Sequence, residues 1–123
     1  AEGSTKIKFR NESIHLEQDG GAAFGYPTVK SPTFNIPSNI NTELYASVKI
    51  RCTTFLGIDL ITSFKLSIDK DYTIKGEKKK DVEKSMTEHP TMSSTNNIIT
   101  ILSEYKGGAK PYVEVYSLYL KYN

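Results

Sequence analysis

Ile58-Asp59-Leu60-Ile61-Thr62-Ser63-Phe64-Lys65-Leu66-Ser67-Ile68 decides the fold class. Its even positions are apolar except Thr62, and its odd positions are mostly polar or charged. Leu44 to Cys52 repeats the device, with Leu44, Ala46, Val48, Ile50 and Cys52 on one parity and Tyr45, Ser47, Lys49 and Arg51 on the other. A period of two sends side chains alternately to core and water, the mark of half-buried antiparallel strands. Gly57 lies between the two runs and predicts a hairpin joining them.

The same pattern extends outward. Lys6 to Arg10 and Ile14 to Glu17 are short alternating runs around a turn at Asn11-Glu12, with Ile7 and Phe9 inward. Gln18-Asp19-Gly20-Gly21 signals a further turn. Ala22 to Ser31 carries Gly25 and Pro27 and predicts an irregular or edge strand. Pro32, Pro37 and the Asn-rich 38–41 stretch form a loop. Asp69-Lys70-Asp71 is a turn, 72–75 a short strand, and 76–80 an exposed turn. Asp81 to Met86 is the single stretch that predicts a helical turn. Glu88 to Asn97 reads as a polar loop. Ile98 to Tyr105 is apolar enough to predict a strand buried on both faces. Lys106 to Ala109 is a turn, and Pro111 to Tyr122 a long final strand rich in Tyr and Val. The sum is an all-β chain of about eight or nine strands, with at most one short helical turn. It predicts a two-sheet antiparallel β-sandwich or jelly roll.

A length of 123 residues fits one domain, over 6–123. Residues 1–5 read as a disordered or cloning-derived lead, or as the cut edge of a longer chain. Hydrophobic residues make up 37%, low enough to suit sheets with one wet face each. Net charge is +2, from sixteen basic and fourteen acidic residues, and only two of the basic residues are Arg. That balance gives no field for nucleic acid, and phosphate recognition favours Arg forks. No apolar run is long enough to insert in a membrane as a helix. The lone Cys52 falls on the apolar parity and reads as a small buried hydrophobe.

The arrangement Phe34-Asn35-Ile36-Pro37, two long alternating strands, a polar loop, Ile98 to Leu102, a Gly-Gly turn and Val113-Glu114-Val115-Tyr116-Ser117-Leu118-Tyr119-Leu120 resembles the galactose-binding-like jelly rolls of carbohydrate-binding modules. It is also similar to head modules of phage tail and appendage proteins. The resemblance covers 32–122 and lies in a rhythm of strands, not in a sequence motif. It implies non-catalytic binding, although a shared fold does not itself fix a function.

The residues point the same way. Asp59, Asp69, Asp71 and Asp81 are the carboxylates a glycosidase pair would draw on, but each sits on a polar parity or a turn. No nucleophile elbow, phosphate loop or His-Glu-x-x-His motif occurs. No catalytic residues are therefore assigned. Asp19, Asp69 and Asp71 are candidate ligands of a structural calcium, the only cofactor suggested, although turns favour Asp for local hydrogen bonds. Eight Tyr supply rings with a polar handle. Tyr45 lies on a polar parity, Tyr26 and Tyr105 lie beside glycine turns, and Tyr112, Tyr116 and Tyr119 crowd the last strand. Tyr26, Tyr45, Tyr105 and Tyr112, with Asn35, Asn39 and Asn41, are the expected ligand-binding set.

The expected function is glycan or cell-surface-receptor binding by a module of a larger extracellular, cell-surface or virion protein. Nucleic acid and membrane insertion are not expected. The alternative is a structural or assembly head domain, a homo-oligomer such as a trimer, whose last strand carries apolar residues on both parities because a partner covers it.

Overall fold

A computed structural model of the chain describes residues 5–10, 13–18, 26–37, 41–51, 53–55, 57–78, 80–104 and 112–122. Eleven strands run through them: β1 (Thr5–Arg10), β2 (Ser13–Gln18), β3 (Thr28–Lys30), β4 (Thr42–Ile50), β5 (Thr53–Phe55), β6 (Ile58–Leu60), β7 (Ser63–Ser67), β8 (Asp71–Lys75), β9 (Val82–Glu88), β10 (Thr100–Glu104) and β11 (Tyr112–Tyr122). No helix occurs among the described residues.

The strands form a five-stranded sheet in the order β1-β2-β11-β4-β9, a four-stranded sheet in the order β3-β10-β7-β8, and a ribbon of β5 and β6. Every pairing is antiparallel. Four of them are nested: β7 pairs β8, β4 pairs β9, β3 pairs β10, and β2 pairs β11. The two larger sheets share one core. Leu16, Leu44, Ala46, Val48, Ile50, Val113 and Val115 enter it from the first, and Phe64, Leu66, Tyr72, Ile74 and Ile101 from the second. Each fully buried side chain of this size contributes roughly 1.5–3 kcal/mol, so the shared interior is the main stabilising term.

Alternation sets which face is which. β4 is buried at every second residue, leaving Glu43, Tyr45, Ser47 and Lys49 half-buried on the outer face. β7 and β8 alternate likewise.

Five expectations need correction. The strand total exceeds eight or nine because the Ile58–Ile68 run is two strands, broken at Ile61-Thr62, and because Thr53–Phe55 and Val82–Glu88 are strands of their own. The Thr62 carbonyl accepts the Gly76 N–H at 2.9 Å, continuing the register of β7 with β8, whereas Ile58–Leu60 pair β5. The hairpin at Gly57 is consequently the small ribbon alone. Gly57 takes a φ of 77°, which suits glycine in a tight turn. The long strands β4 and β7 belong to different sheets.

Asp81 to Met86 is not helical: β9 pairs with β4 from Val82 to Glu88. Val82 and Met86 pack against the core, and this burial overrides the helix preference of Glu, Lys and Met. Lys84 shares their parity, and its Nζ donates to the Lys75 carbonyl at 3.0 Å, from the edge of one sheet to the edge of the other. An inward-parity charge of this kind discourages edge-to-edge pairing.

β10 is buried on one parity only, and Ile98 lies before it at 43% exposure. The apolar run was long because Ile98 and Ile99 belong to a connecting segment, where Ile99 exchanges hydrogen bonds with Ser31.

In the 76–80 turn, Glu77, Lys78 and Lys80 are exposed, but Gly76 is buried. A Cβ at Gly76 would lie 2.7 Å from both Ile50 Cγ2 and the Thr62 carbonyl oxygen. The turn passes too close to β4 for any side chain there.

The turns expected at 19–21 and 106–109, and Cys52, lie outside the described residues.

Candidate functional site

The outer face of the five-stranded sheet gathers most of the aromatic side chains that alternation leaves outside. Its geometry depends on one irregularity. β11 runs in register with β4 from Val113↔Ile50 to Val115↔Val48, then shifts so that Ser117 pairs Ser47. Tyr116 is the extra residue of this β-bulge. The shift exchanges the parities, so Val113 and Val115 face the core before it, and Leu118 and Leu120 pack against the same core after it. The apolar residues on both parities of the last strand are thus satisfied within one chain. They do not call for a partner. A bulge re-aims side chains in this way without ending the pairing.

Beyond the bulge, Tyr119 is the direct cross-strand partner of Tyr45. Their rings stack with centroids 5.1 Å apart and planes 23° from parallel. Such pairs contribute about 0.5–1.5 kcal/mol beyond area burial. Lys121 Nζ lies over the Tyr119 ring, 5.3 Å from its centroid. Tyr45 pairs in turn with Thr87 of β9. The next row on this face is Ser117, Ser47 and Ser85, one from each of three strands. A row of hydroxyls therefore lies beside a row of two phenols and a threonine. Neighbouring rows on one face are about 7 Å apart, close to the span of a single pyranose.

Before the bulge the face is more occupied. Arg51 stacks its guanidinium 4.0 Å from the Tyr112 ring centroid. The Tyr112 hydroxyl donates to Glu114. The Tyr116 hydroxyl also bonds Glu114. Burial of that hydroxyl, then the bond to Glu114 and the nearby charges of Glu114 and Glu83, hold the Tyr116 phenol above its ordinary range. The Tyr116 residue as a whole is 41% exposed, so its ring stands open while its tip is engaged. Glu114, Lys49 and Glu83 form a charged row of alternating sign across β11, β4 and β9.

Of the expected ligand-binding residues, Tyr45 and Tyr112 fall on this face, and Asn41 lies exposed at the head of β4. Tyr26 and Asn35 do not join them. Tyr26 precedes β3 of the other sheet. Asn35 accepts the Asn96 N–H at 3.0 Å, supporting a residue with φ of 58°. Asn39 and Tyr105 lie outside the described residues. Sequence reasoning left Tyr116, Tyr119 and the Ser row out of the expected set. The signal for them was present: Val113 and Val115 are odd, Leu118 and Leu120 even, a parity change that a bulge resolves.

The candidate calcium ligands serve other partners. Asp69 accepts from the Lys70 N–H at 2.9 Å, the Tyr72 hydroxyl at 2.7 Å and the Thr91 N–H at 3.0 Å. Burial pushes its carboxyl up, but the bonds from Thr91, Tyr72 and Lys70 outweigh it and hold Asp69 below the usual carboxylate range. Burial, and then the bond to Asp69, pushes the Tyr72 phenol up to about 12. Asp71 accepts from Ser67 and sits 3.8 Å from Lys65 Nζ. Lys65 also donates to Glu104 at 2.7 Å, and that bond is the main reason its own pKa is raised. Asp19 lies outside the described residues. Among the described residues, no three His, Cys, Asp or Glu side chains come together as a metal site.

No protein-family model matches this chain, and no curated protein matches it.

Proposed function

We propose that this chain is a non-catalytic glycan-binding module that engages a cell-surface or soluble polysaccharide through the Tyr45–Tyr119 face. The observation that carries the reading is the stacked pair itself: two phenols held together on the outer side of a sheet, beside the Ser117–Ser47–Ser85 row. Sugars present apolar C–H faces and a girdle of hydroxyls. A ring set next to small hydroxyl side chains complements both, with little side-chain entropy to lose. The parent protein in this reading is extracellular, on a cell surface or in a virion.

The fold is read as a jelly roll. The nested pairs β2/β11, β3/β10, β4/β9 and β7/β8 support this, because a jelly roll is one long hairpin rolled so that its first strand pairs its last. β1 and the β5–β6 ribbon are additions to those eight strands. The assembly-head alternative drew on mixed parity in the last strand, and the Tyr116 bulge removes that support.

A glycan array probed with the intact chain and with Tyr45→Ala and Tyr119→Ala tests the proposal. Binding that falls at least about tenfold in both variants, near 1.4 kcal/mol, supports it. Binding unchanged in both, or no glycan bound by the intact chain, overturns it.

A further inference from the structure

We infer that the ligand of the Tyr45–Tyr119 face is an uncharged oligosaccharide rather than an anionic glycan; this rests on the glycan-binding reading above. The cross-strand register shows why. On the outer face of β11, β4 and β9, and at the adjoining residue 51, the cations are Lys49, Arg51 and Lys121, and the acids are Glu43, Glu83 and Glu114. Lys49 stands between Glu114 and Glu83 in one row. Lys121 is the direct partner of Glu43. Arg51 lies over Tyr112, whose hydroxyl is bonded to Glu114. Each cation therefore has an acid in its row or one hydrogen bond away. Among the described residues, this half of the face carries as many acids as cations and so no excess positive charge for a sulfate, carboxylate or phosphodiester.

The basic clusters nearest this face are Lys78-Lys79-Lys80, which ends two residues before β9, and Lys6, Lys8 and Arg10 on β1. Lys80 is seven residues before Thr87, about 23 Å of extended chain. β1 is two strands from β11, and the rows of Lys8 and Arg10 lie about four and about two residues along β4 from the row of Tyr45. At ~4.8 Å per strand and ~3.3 Å per residue, the backbone separations are about 16 Å for Lys8 and about 12 Å for Arg10. All exceed the screening length of ~8 Å at physiological salt. β2 also pairs β11 only from Tyr112 to Val115, so the stacked rings lie beyond the register it shares with β2. What remains at the rings is aromatic surface, the hydroxyls of Ser47, Ser85, Thr87 and Ser117, and the single ammonium of Lys121, which is matched across the strands by Glu43; this set suits neutral sugar hydroxyls.

The experiment is a paired titration of the intact chain with neutral oligosaccharides and with their sulfated or sialylated counterparts, at 50 and 500 mM NaCl. Expected is a neutral ligand preferred at least tenfold, with affinity changing less than twofold between the salts. Glu83→Lys, an exposed edge substitution, should leave neutral binding within twofold. Preference for the anionic ligands, with affinity falling severalfold at high salt, would overturn the inference while leaving the glycan reading intact. Loss of the face to self-association, seen as a dimer by light scattering that Tyr119→Ala dissolves, would overturn both. Absence of binding to every glycan would overturn the reading on which the inference stands.

Discussion

Val115 and Leu118 face the same core although three positions separate them in a single strand. Strict alternation would send one inward and the other to water. Tyr116 takes up the difference by standing outside the register. Deleting Tyr116 should leave β11 in unbroken register with β4, Val115↔Val48 followed directly by Ser117↔Ser47, with Leu118 and Leu120 still inward. The deletion variant and Tyr116→Ala are each expected to unfold cooperatively at a cost of no more than about 1 kcal/mol, whereas inserting one Ala between Ser117 and Leu118, which turns Leu118 and Leu120 outward or breaks the pairing, should cost at least about 3 kcal/mol. Urea denaturation followed by circular dichroism separates them. Loss of the fold on deleting Tyr116, or an insertion that costs no more than the deletion, would contradict the role given to the bulge.

The close approach of Gly76 to β4 gives a second prediction. Gly76→Ala puts a methyl group 2.7 Å from both Ile50 Cγ2 and the Thr62 carbonyl. Backbone on one side cannot give way cheaply, so the cost should be about 1–3 kcal/mol. Gly57→Ala meets open space but must hold a φ of 77°, a conformational cost of roughly 1–2 kcal/mol. In double-mutant cycles read from denaturation midpoints, Ile50→Ala, which removes Cγ2 at the cost of a core cavity, should destabilise less in Gly76→Ala than in the intact chain and equally in Gly57→Ala.

Asp69 and Tyr72 share one hydrogen bond and respond to opposite ends of the pH scale. The Asp69 carboxyl lies below its ordinary value of 3.8 in the folded chain, so its contribution is present above that value. It is lost as pH falls through the folded pKa. Tyr72 is pushed up from 10.0 to about 12, so its contribution is full below pH 10 and is lost as pH rises towards 12. Asp69→Asn should flatten the acid limb of the stability profile, and Tyr72→Phe the alkaline limb. Unchanged limbs in thermal melts across pH 2–12 would contradict these assignments.

The ring pair can be weighed by a double-mutant cycle. Tyr45→Ala, Tyr119→Ala and the double variant should reveal a coupling of about 0.5–1.5 kcal/mol in unfolding free energy. A coupling near zero would mean that the stack contributes nothing beyond area burial.

The long alternating strand from Leu44 to Ile50 could be read from sequence, because burial there follows the local period of two. The edge character of β3 could be read as well, since Pro27 sits just before a strand that pairs only β10. Other features depended on distant partners. The break at Ile61-Thr62 separates a strand that pairs β5 from one that pairs β8 and β10, and Val82 to Glu88 became a strand because β4 offered an edge. At the site, the outward parity of Tyr45 was legible, but its partner was not. Pairing Tyr45 with Tyr119 requires the one-residue shift at Tyr116, and only the register across two strands fixes it. Tyr26 and Asn35 were grouped with Tyr45 by residue type, and the sheet order separates them.

The most direct test of the central claim is a titration of isotopically labelled protein with a neutral oligosaccharide, followed by amide chemical shifts. The account predicts that the largest shifts cluster at Tyr45, Ser47, Ser85, Thr87, Ser117 and Tyr119, on the outer face of β4, β9 and β11. Shifts confined instead to Tyr26, Lys65 and Glu104 on the opposite sheet, or no shifts at millimolar sugar, would contradict it.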